Sequence, residues 1–194
     1  MTDRSWETIE QRISYSCPGF DVVTDTVGLP GGEETEFDYL SEGESVVVLP
    51  FTPDGEVVVI EEWRQAVKRS NRAIPAGSLE PGEDPEAAVD RELREETGYE
   101  AETIEHLTTV EPANGFADAV FHYYVARDCT PTAEQELDVN ETIDVDLASF
   151  GELVTAAGEG ELRDGRTAFG VVYYALFESG RDVSGGSRPD ERKS

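Results

Sequence analysis

Alternating polar and apolar residues near the start of the chain predict an antiparallel β-hairpin. The alternation spans residues 13–40 and is interrupted by Gly28-Leu-Pro-Gly-Gly32, a combination typical of a turn. Two more strongly apolar runs follow, Ser45 to Phe51 and Glu56 to Glu62, separated by Thr52-Pro-Asp-Gly55. Pro-Asp-Gly between β-branched runs is typical of a tight turn, so these runs are predicted to pair as a second hairpin.

A helix is predicted after residue 84 because both of its ends are marked in the sequence. Asp84 is a suitable N-cap, Pro85 fits the first helical position, and Gly98 provides a C-terminal stop. Val89 and Leu93 form an apolar stripe along this helix. The stripe predicts that the helix packs on a sheet.

Further strands and helices are predicted downstream, without the regular alternation of a βαβ protein. They are strands from Thr103 to Val110, Ala119 to Arg127 and Thr142 to Asp146, and helices near Ser149 to Gly158 and Thr167 to Ser179. Residues 181–194 are predicted to form a disordered tail. Strands interleaved with a few helices indicate the α+β class or an α/β/α sandwich.

The charge of the chain excludes two classes of partner. Its 194 residues include 15 Lys and Arg against 43 Asp and Glu, a formal net charge of −28. A surface this negative lacks a basic patch for polyanions, so we expect neither nucleic acid nor an anionic membrane as a partner. Lys68 and Lys193 are the only lysines, and abundant Asp and Glu with almost no Lys resembles the composition of halophilic proteins.

Cysteine use and the N-terminus predict a cytoplasmic protein. Cys17 and Cys129 lie far apart and match no metal-ligand spacing, which fits a reducing compartment. The first residues lack the basic and apolar regions of a signal peptide. No apolar run approaches the ~20 residues needed to span a bilayer.

Three glutamates are crowded on one face of the predicted helix. With about 100° of rotation per residue, Glu92, Glu95 and Glu96 fall within about 100° of arc. Like charges at this spacing repel, and a hard divalent cation such as Mg²⁺ would relieve the repulsion through its oxygen ligands. From these residues alone, a merely solvated acidic face explains the pattern at least as well.

The longer pattern around these glutamates resembles the Nudix box. Gly77, Glu83 and the segment Arg91-Glu92-Leu93-x-Glu95-Glu96-x-Gly98 occupy the fixed positions of that motif; only Tyr99 departs, replacing a bulky aliphatic residue. The chain is therefore identified as a member of the Nudix hydrolase family. The resemblance implies a Nudix-type α/β/α sandwich with a mixed sheet over residues 43–180, preceded by a hairpin extension over residues 1–42.

The resemblance also implies a metal site. In that family the box binds a divalent metal, usually Mg²⁺, with Mn²⁺ as an alternative, and the metal polarises a phosphoryl group and activates water. The implied ligands are Glu92, Glu95 and Glu96, together with Glu141 from a later loop and the main-chain carbonyl of Ala76. The same four glutamates are the implied catalytic residues.

Segments outside the box resemble ADP-ribose pyrophosphatases. Glu61-Glu-Trp-Arg-Gln-Ala66 is similar to a segment before the box in those enzymes, which assigns a substrate contact to Arg64. The alternative for Arg64 is an ion pair with one of the many carboxylates. Downstream of the box, those enzymes carry a proline and a Pro-Gly-Phe-x-Asp loop. Similar residues occur here with an offset in position, which assigns substrate binding to Pro112, Gly115 and Phe116.

The general base is left open by this resemblance. Subfamily members commonly carry two acids, two residues apart, as a metal ligand and a candidate base. Glu141 matches the ligand, but Val139 occupies the partner position. Glu136, Asp138 or a box glutamate is therefore left to activate the water.

The implied function is Mg²⁺-dependent hydrolysis of a nucleoside diphosphate linked to a second group. ADP-ribose or a related nucleotide sugar would give a nucleoside monophosphate and a sugar phosphate. One alternative is a housecleaning nucleoside triphosphate pyrophosphohydrolase. Another is a non-catalytic nucleotide-sugar sensor, which the full set of glutamates disfavours. Because subfamily members often exchange N-terminal strands, the chain is predicted to form a homodimer.

Overall fold

The computed structural model describes residues 4–139 and 141–178, so the predicted tail at residues 181–194 lies outside it. Within the described ranges, twelve strands and three helices follow one another. The strands are β1 (Glu7–Cys17), β2 (Phe20–Gly28), β3 (Glu34–Ser41), β4 (Glu44–Pro50), β5 (Glu56–Arg64), β6 (Arg69–Ala73), β7 (Ala76–Ser78), β8 (Tyr99–Glu100), β9 (Thr103–Val110), β10 (Val120–Arg127), β11 (Thr130–Pro131) and β12 (Ile143–Ser149). The helices are α1 (Pro85–Thr97), α2 (Phe150–Glu159) and α3 (Gly165–Phe177). No helix of the described residues is long and apolar enough to span a membrane.

A middle layer of strands lies between α1 on one side and α2 with α3 on the other. One sheet has the order β7-β4-β10-β9 and the other the order β12-β5-β6. Strands β4 and β10 pair in parallel, whereas their other neighbours are antiparallel. Val47 packs with residues of α2 and α3, and the next residue, Val48, packs with residues of α1. These contacts confirm the α+β class and the sandwich with a mixed sheet.

The predicted hairpin between β4 and β5 is wrong. The turn itself forms, since Gly55 N donates to Thr52 O at 2.9 Å and Thr52 N to Glu56 O at 2.8 Å. After a single bridge between Phe51 and Val57, however, the strands enter different sheets. Both strands are buried on both faces, and such apolar runs carry no alternation that would fix their partners. The turn sequence therefore predicted the bend but not the pairing.

The predicted N-terminal hairpin is confirmed and has a third strand. Strands β2 and β3 pair antiparallel around the turn at residues 29–33, and β1 pairs antiparallel with β2 through a turn at Gly19. The alternation used in the prediction began at residue 13, six residues after β1 begins. The division into units at residue 42 stays a prediction.

Helix α1 is confirmed with both predicted ends. Asp84 Oδ1 accepts from Glu86 N at 3.0 Å, and Gly98 adopts a left-handed conformation with φ of 75°. Ala88, Val89 and Leu93 are fully buried, which confirms the apolar stripe. The other predicted elements are also present, although β12 continues three residues beyond the predicted end at Asp146.

Candidate active site

Arg91 is the centre of a hydrogen-bond network on α1. Its guanidinium donates to both oxygens of Glu83 at 2.8 Å, to Glu92 Oε1 at 2.7 Å and to Glu95 Oε2 at 3.2 Å. A fifth hydrogen bond reaches Ser78 O at 3.0 Å. The hydrogen bonds from Arg91 are the largest cause that lowers the pKa of Glu83 to about 2. Arg91 therefore holds the carboxylates of Glu83, Glu92 and Glu95 in fixed orientations.

Glu92 lies against the backbone of β7. A Cβ atom built on Gly77 would overlap the Glu92 carboxylate, so glycine at this position leaves the space that the carboxylate occupies. Burial raises the pKa of Glu92, although Arg91 opposes the shift. Gly77 thus has a steric role in the site, separate from any need for an unusual backbone conformation.

Glu96 is the most buried of the box glutamates, with 4% of its surface exposed. Its Oε2 accepts a hydrogen bond from Ala76 N at 3.0 Å. Burial raises the pKa of Glu96 to about 8, and the nearby charges of Glu92 and Glu62 add to the shift. A positive charge delivered to this carboxylate would therefore be strongly favourable.

One acidic cavity of about 520 Å³ contains most of the residues that the sequence singled out. Its lining includes Glu92, Glu95, Glu96, Glu141, Ala76 and Arg64. We call it the acidic cavity. Glu136 and Asp138, two candidates for the general base, also line it. The sequence did not single out Arg166, which lines it from α3.

The loop before β12 carries Glu141 into the acidic cavity. Asp138 N donates to Glu141 Oε2 at 2.9 Å, and Glu141 N donates back to Asp138 O at 3.0 Å. Glu136 is ion-paired with Arg94 at 3.0 Å. Val139 is fully exposed, at 107%, so the position that holds an acid in the resembling enzymes faces solvent here. The choice of base among Glu136, Asp138 and the box glutamates stays open.

Arg64 and Arg166 line the acidic cavity from β5 and α3, respectively. Arg64, at the end of β5, lies 2.6 Å from Oε2 of Glu62, a carboxylate that is 6% exposed. This ion pair lacks hydrogen-bond geometry, and Glu62 Oε2 has no hydrogen-bond partner among the described residues. Burial raises the pKa of Glu62 even though Arg64 and Arg166 lower it. Arg64 thus makes an ion pair and also lines the acidic cavity.

A second cavity of about 700 Å³ adjoins the first, and Arg166 lines both. Pro112 and Phe116 line this second cavity, whose walls also include Phe121 and Phe169. We call it the apolar cavity. Gly115 is exposed and lines neither cavity. Two of the three predicted substrate-binding residues of this loop therefore lie together, beside rather than within the acidic cavity.

The donor set of the acidic cavity fits a hard divalent cation. Carboxylate and carbonyl oxygens are the ligands that Mg²⁺ and Mn²⁺ prefer. As the side chains stand, no three acidic, His or Cys groups in residues 4–139 and 141–178 converge to hold an ion. Arg91 holds Glu92 and Glu95, and the Ala76 amide holds Glu96. Each of these carboxylates keeps lone pairs that the hydrogen bonds do not use, so ligation by all three would require the side chains to move closer together.

Comparison with known proteins identifies the protein family to which this fold and the acidic cavity belong. A solved structure described as an ADP compounds hydrolase superposes with a TM-score of 0.79, covering 91% of this chain and 95% of its own, at 17% identity. The NUDIX domain model matches residues 42–168. The chain therefore belongs to the NUDIX family and is a Nudix hydrolase.

Two relatives match nearly the whole chain. The ADP-ribose pyrophosphatase of Bacillus subtilis is 31% identical over 174 residues, which are 89% of this chain and 94% of the relative. The methanol dehydrogenase activator of Bacillus methanolicus is 33% identical over 174 residues, with the same coverage of 89% and 94%. The similarity thus extends well beyond the box, in agreement with the sequence segments before and after it.

Proposed function

We propose that the protein hydrolyses a nucleoside diphosphate linked to a second group, in a reaction that depends on a divalent metal. ADP-ribose or a related nucleotide sugar is the proposed substrate, and a nucleoside monophosphate and a sugar phosphate are the products. The observation that carries the proposal is the lining of the acidic cavity, where the box glutamates meet Glu141 and Arg64. The name of the Bacillus subtilis relative, ADP-ribose pyrophosphatase, supports the choice of substrate.

The proposed metal is Mg²⁺, with Mn²⁺ as the alternative. Glu92, Glu95, Glu96 and Glu141 would hold it, together with the carbonyl of Ala76. When bound, it supplies the polarisation of a phosphoryl group and the activation of a water molecule. The raised pKa of the buried Glu96 supports this assignment, because an unpaired carboxylate this deeply buried is costly without a cation.

The other proposed roles belong to the protein's own side chains. Arg64 binds a phosphate group, since a guanidinium fork matches phosphate oxygens. Pro112, Gly115 and Phe116 contact the remainder of the substrate. The general base is one of the acids of the cavity, because Val139 offers no proton acceptor.

Product analysis tests this proposal. ADP-ribose, ADP-glucose, GDP-mannose and ATP are each incubated with the protein in Mg²⁺ or in EDTA, at molar KCl. We expect AMP and ribose 5-phosphate from ADP-ribose in Mg²⁺ alone. Release of pyrophosphate from ATP, with the nucleotide sugars intact, would instead favour the nucleoside triphosphate pyrophosphohydrolase.

A pair of variants tests the proposed site. Glu96→Gln keeps the shape of the side chain and an acceptor for the Ala76 amide, but removes the charge. We expect it to abolish metal-dependent turnover while the melting temperature stays close to that of the wild type. Glu86→Gln is the matched control, because Glu86 is exposed in the first turn of the same helix and lines no part of the acidic cavity. Full activity of Glu96→Gln would contradict the metal assignment.

A regulatory protein is the second candidate function. It is favoured by the relative from Bacillus methanolicus, which is named a methanol dehydrogenase activator. A non-catalytic sensor would bind a nucleotide sugar without turnover. Tight binding of ADP-ribose with no product in Mg²⁺ or Mn²⁺ would therefore favour it over the hydrolase.

We further propose a homodimer. Strand β1 lies at the end of the N-terminal sheet in the described part of the chain, and Trp6, Ile9, Ile13 and Tyr15 are exposed on or beside it. Exposed apolar side chains along a free strand edge are typical of an interaction surface.

The net charge of −28 supports a place in the cytoplasm of a salt-accumulating cell, with neither nucleic acid nor membrane as partner.

A further inference from the structure

Arg166 is a partly buried cation with unused hydrogen-bond donors. Its side chain is 24% exposed, and its ion pair with Asp164 is loose, at 3.5 Å. In residues 4–139 and 141–178 no hydrogen bond from its guanidinium is observed, whereas the guanidinium of Arg91 makes five. A guanidinium has five donors, and leaving them unpaired away from water is unfavourable. Arg166 therefore has the capacity to bind an anion.

Local structure holds the backbone of Arg166 at the edge of the acidic cavity. Asp164 caps α3, because its Oδ1 accepts from both the backbone N and the hydroxyl of Thr167, at 2.9 Å and 2.8 Å. The Thr167 hydroxyl oxygen in turn accepts from Ile74 N at 3.0 Å. Ile74 lies two residues before Ala76, which lines the acidic cavity. The start of α3 is thus fixed to the chain segment that enters the site.

Arg166 and Arg64 form a pair of cations. Both line the acidic cavity, and each is ion-paired with one carboxylate of low exposure, Asp164 and Glu62 respectively. Burial outweighs the charges of both arginines at Glu62, whose pKa is raised, whereas at Asp164 the same two charges help to lower the pKa against burial. Both guanidiniums therefore lie near both carboxylates. Two guanidiniums that line one cavity can each donate to a phosphate of a diphosphate.

We propose that Arg166 is a second phosphate-binding residue, which acts with Arg64 to hold the diphosphate of the substrate where the acidic and apolar cavities meet. The inference rests on the proposed function for the identity of the substrate. It differs from that proposal in assigning a role to α3, an element outside the box. Because the protein carries a charge of −28, local cations are needed to bind an anionic substrate next to the glutamates.

Binding measurements without turnover test this proposal. The probes are ADP-ribose and inorganic pyrophosphate, titrated into the protein in EDTA by calorimetry at constant KCl. A charge-assisted hydrogen bond to phosphate is worth enough that Arg166→Gln should weaken the binding of both probes by about tenfold or more. Arg163→Gln is the matched control, since Arg163 is exposed, lies three residues away and lines neither cavity. We expect it to stay within about twofold of the wild type.

The outcomes separate this inference from the proposed function. If Arg166→Gln binds both probes as the wild type does, the inference is overturned, even when ADP-ribose is hydrolysed. If Arg166→Gln loses binding while the wild type turns over no nucleotide sugar, the inference stands and the hydrolase proposal fails. A wild type that binds neither probe, in EDTA or in Mg²⁺, would also overturn it. Should Arg166→Gln fail to fold, Arg166→Lys replaces it, with a smaller loss expected because the charge remains without the fork.

Discussion

The Glu92 carboxylate occupies the space that any side chain on Gly77 would need. A Cβ atom on Gly77 would overlap three atoms of that carboxylate group. The overlap involves the far end of a flexible side chain, which can move without disturbing the backbone. A substitution here is therefore expected to affect the site more than the fold.

Gly77→Ala should separate activity from stability. We expect turnover at limiting Mg²⁺ to fall by at least about tenfold, because Glu92 is displaced from its position in the cavity. The melting temperature should fall by only a few degrees. Gly151→Ala on α2 is the control, since nothing lies within 4 Å of the added atom. Unchanged activity in Gly77→Ala would show that the Glu92 carboxylate can leave this position without cost.

The parts of the fold that sequence predicts well are those fixed by neighbouring residues. Asp84 and Gly98 mark the two ends of α1 because capping is a local interaction. The pairing of β4 with β10 joins segments more than 70 residues apart, as in the pair Val46 and His122, and no local signal specifies it. This is why the turn at residues 52–55 was predicted and the hairpin was wrong.

The candidate site also contains some residues that local sequence predicts and others that it does not. Glu92, Glu95 and Glu96 follow from one motif on one helix. Arg166 lines the acidic cavity from the start of α3, which Thr167 ties to Ile74 through a contact across 93 residues of chain. The helix start at Asp164 is a readable capping signal, but nothing nearby in sequence indicates which cavity the helix faces. Similarly, nothing in the sequence distinguishes Glu62 from the other acidic residues, and only the structure shows that it is buried.

Arg91→Lys should impair metal binding although it preserves the charge. Lysine cannot reproduce five hydrogen bonds to Glu83, Glu92, Glu95 and the backbone, so the carboxylates lose their fixed orientation. We expect the Mg²⁺ concentration for half-maximal activity to rise by about 10–100-fold. Arg72→Lys is the control, because its hydrogen bond to Glu152 can be made by an ammonium and neither residue lines the acidic cavity. Equal behaviour of the two variants would argue against the orienting role of Arg91.

The homodimer can be tested on β1. In molar KCl, light scattering of the wild type should give a dimer mass that persists on dilution. Ile13, which is 62% exposed, is the proposed contact, so Ile13→Asp should shift the mass towards the monomer by placing a charge on an apolar surface. Thr8→Asp, on the same strand, introduces the same charge at a position that is already polar. A wild type that is an active monomer would refute the homodimer.

Asp164 should contribute stability that depends on pH. Burial opposes its ionisation, but Arg166 and the hydrogen bonds from Thr167 prevail and lower its pKa in the folded state. Because the pKa of Asp164 is lower in the folded state than the unfolded-state pKa of about 3.9, the ionised carboxylate stabilises the fold at a pH above about 3.9. This contribution is lost as the pH falls through the folded-state pKa. Asp164→Asn keeps a capping oxygen but loses the charge. Urea unfolding should therefore show a deficit for Asp164→Asn at pH 7 that shrinks below about pH 4, and a deficit independent of pH would contradict the charge effect.

Salt should stabilise the protein because its surface charges repel one another. The net charge of −28 is carried on 194 residues, and the screening length falls from about 10 Å in 0.1 M salt to about 3 Å in 1 M salt. Relief of roughly 2 kcal/mol of repulsion would raise the melting temperature by about 4–8 °C for a chain of this size. The rise should be steep at low KCl and level off once screening acts over less than the spacing between charges. Calorimetric scans from 0.1 to 3 M KCl measure the effect. A melting temperature that stays flat or falls in KCl would contradict a salt-adapted surface.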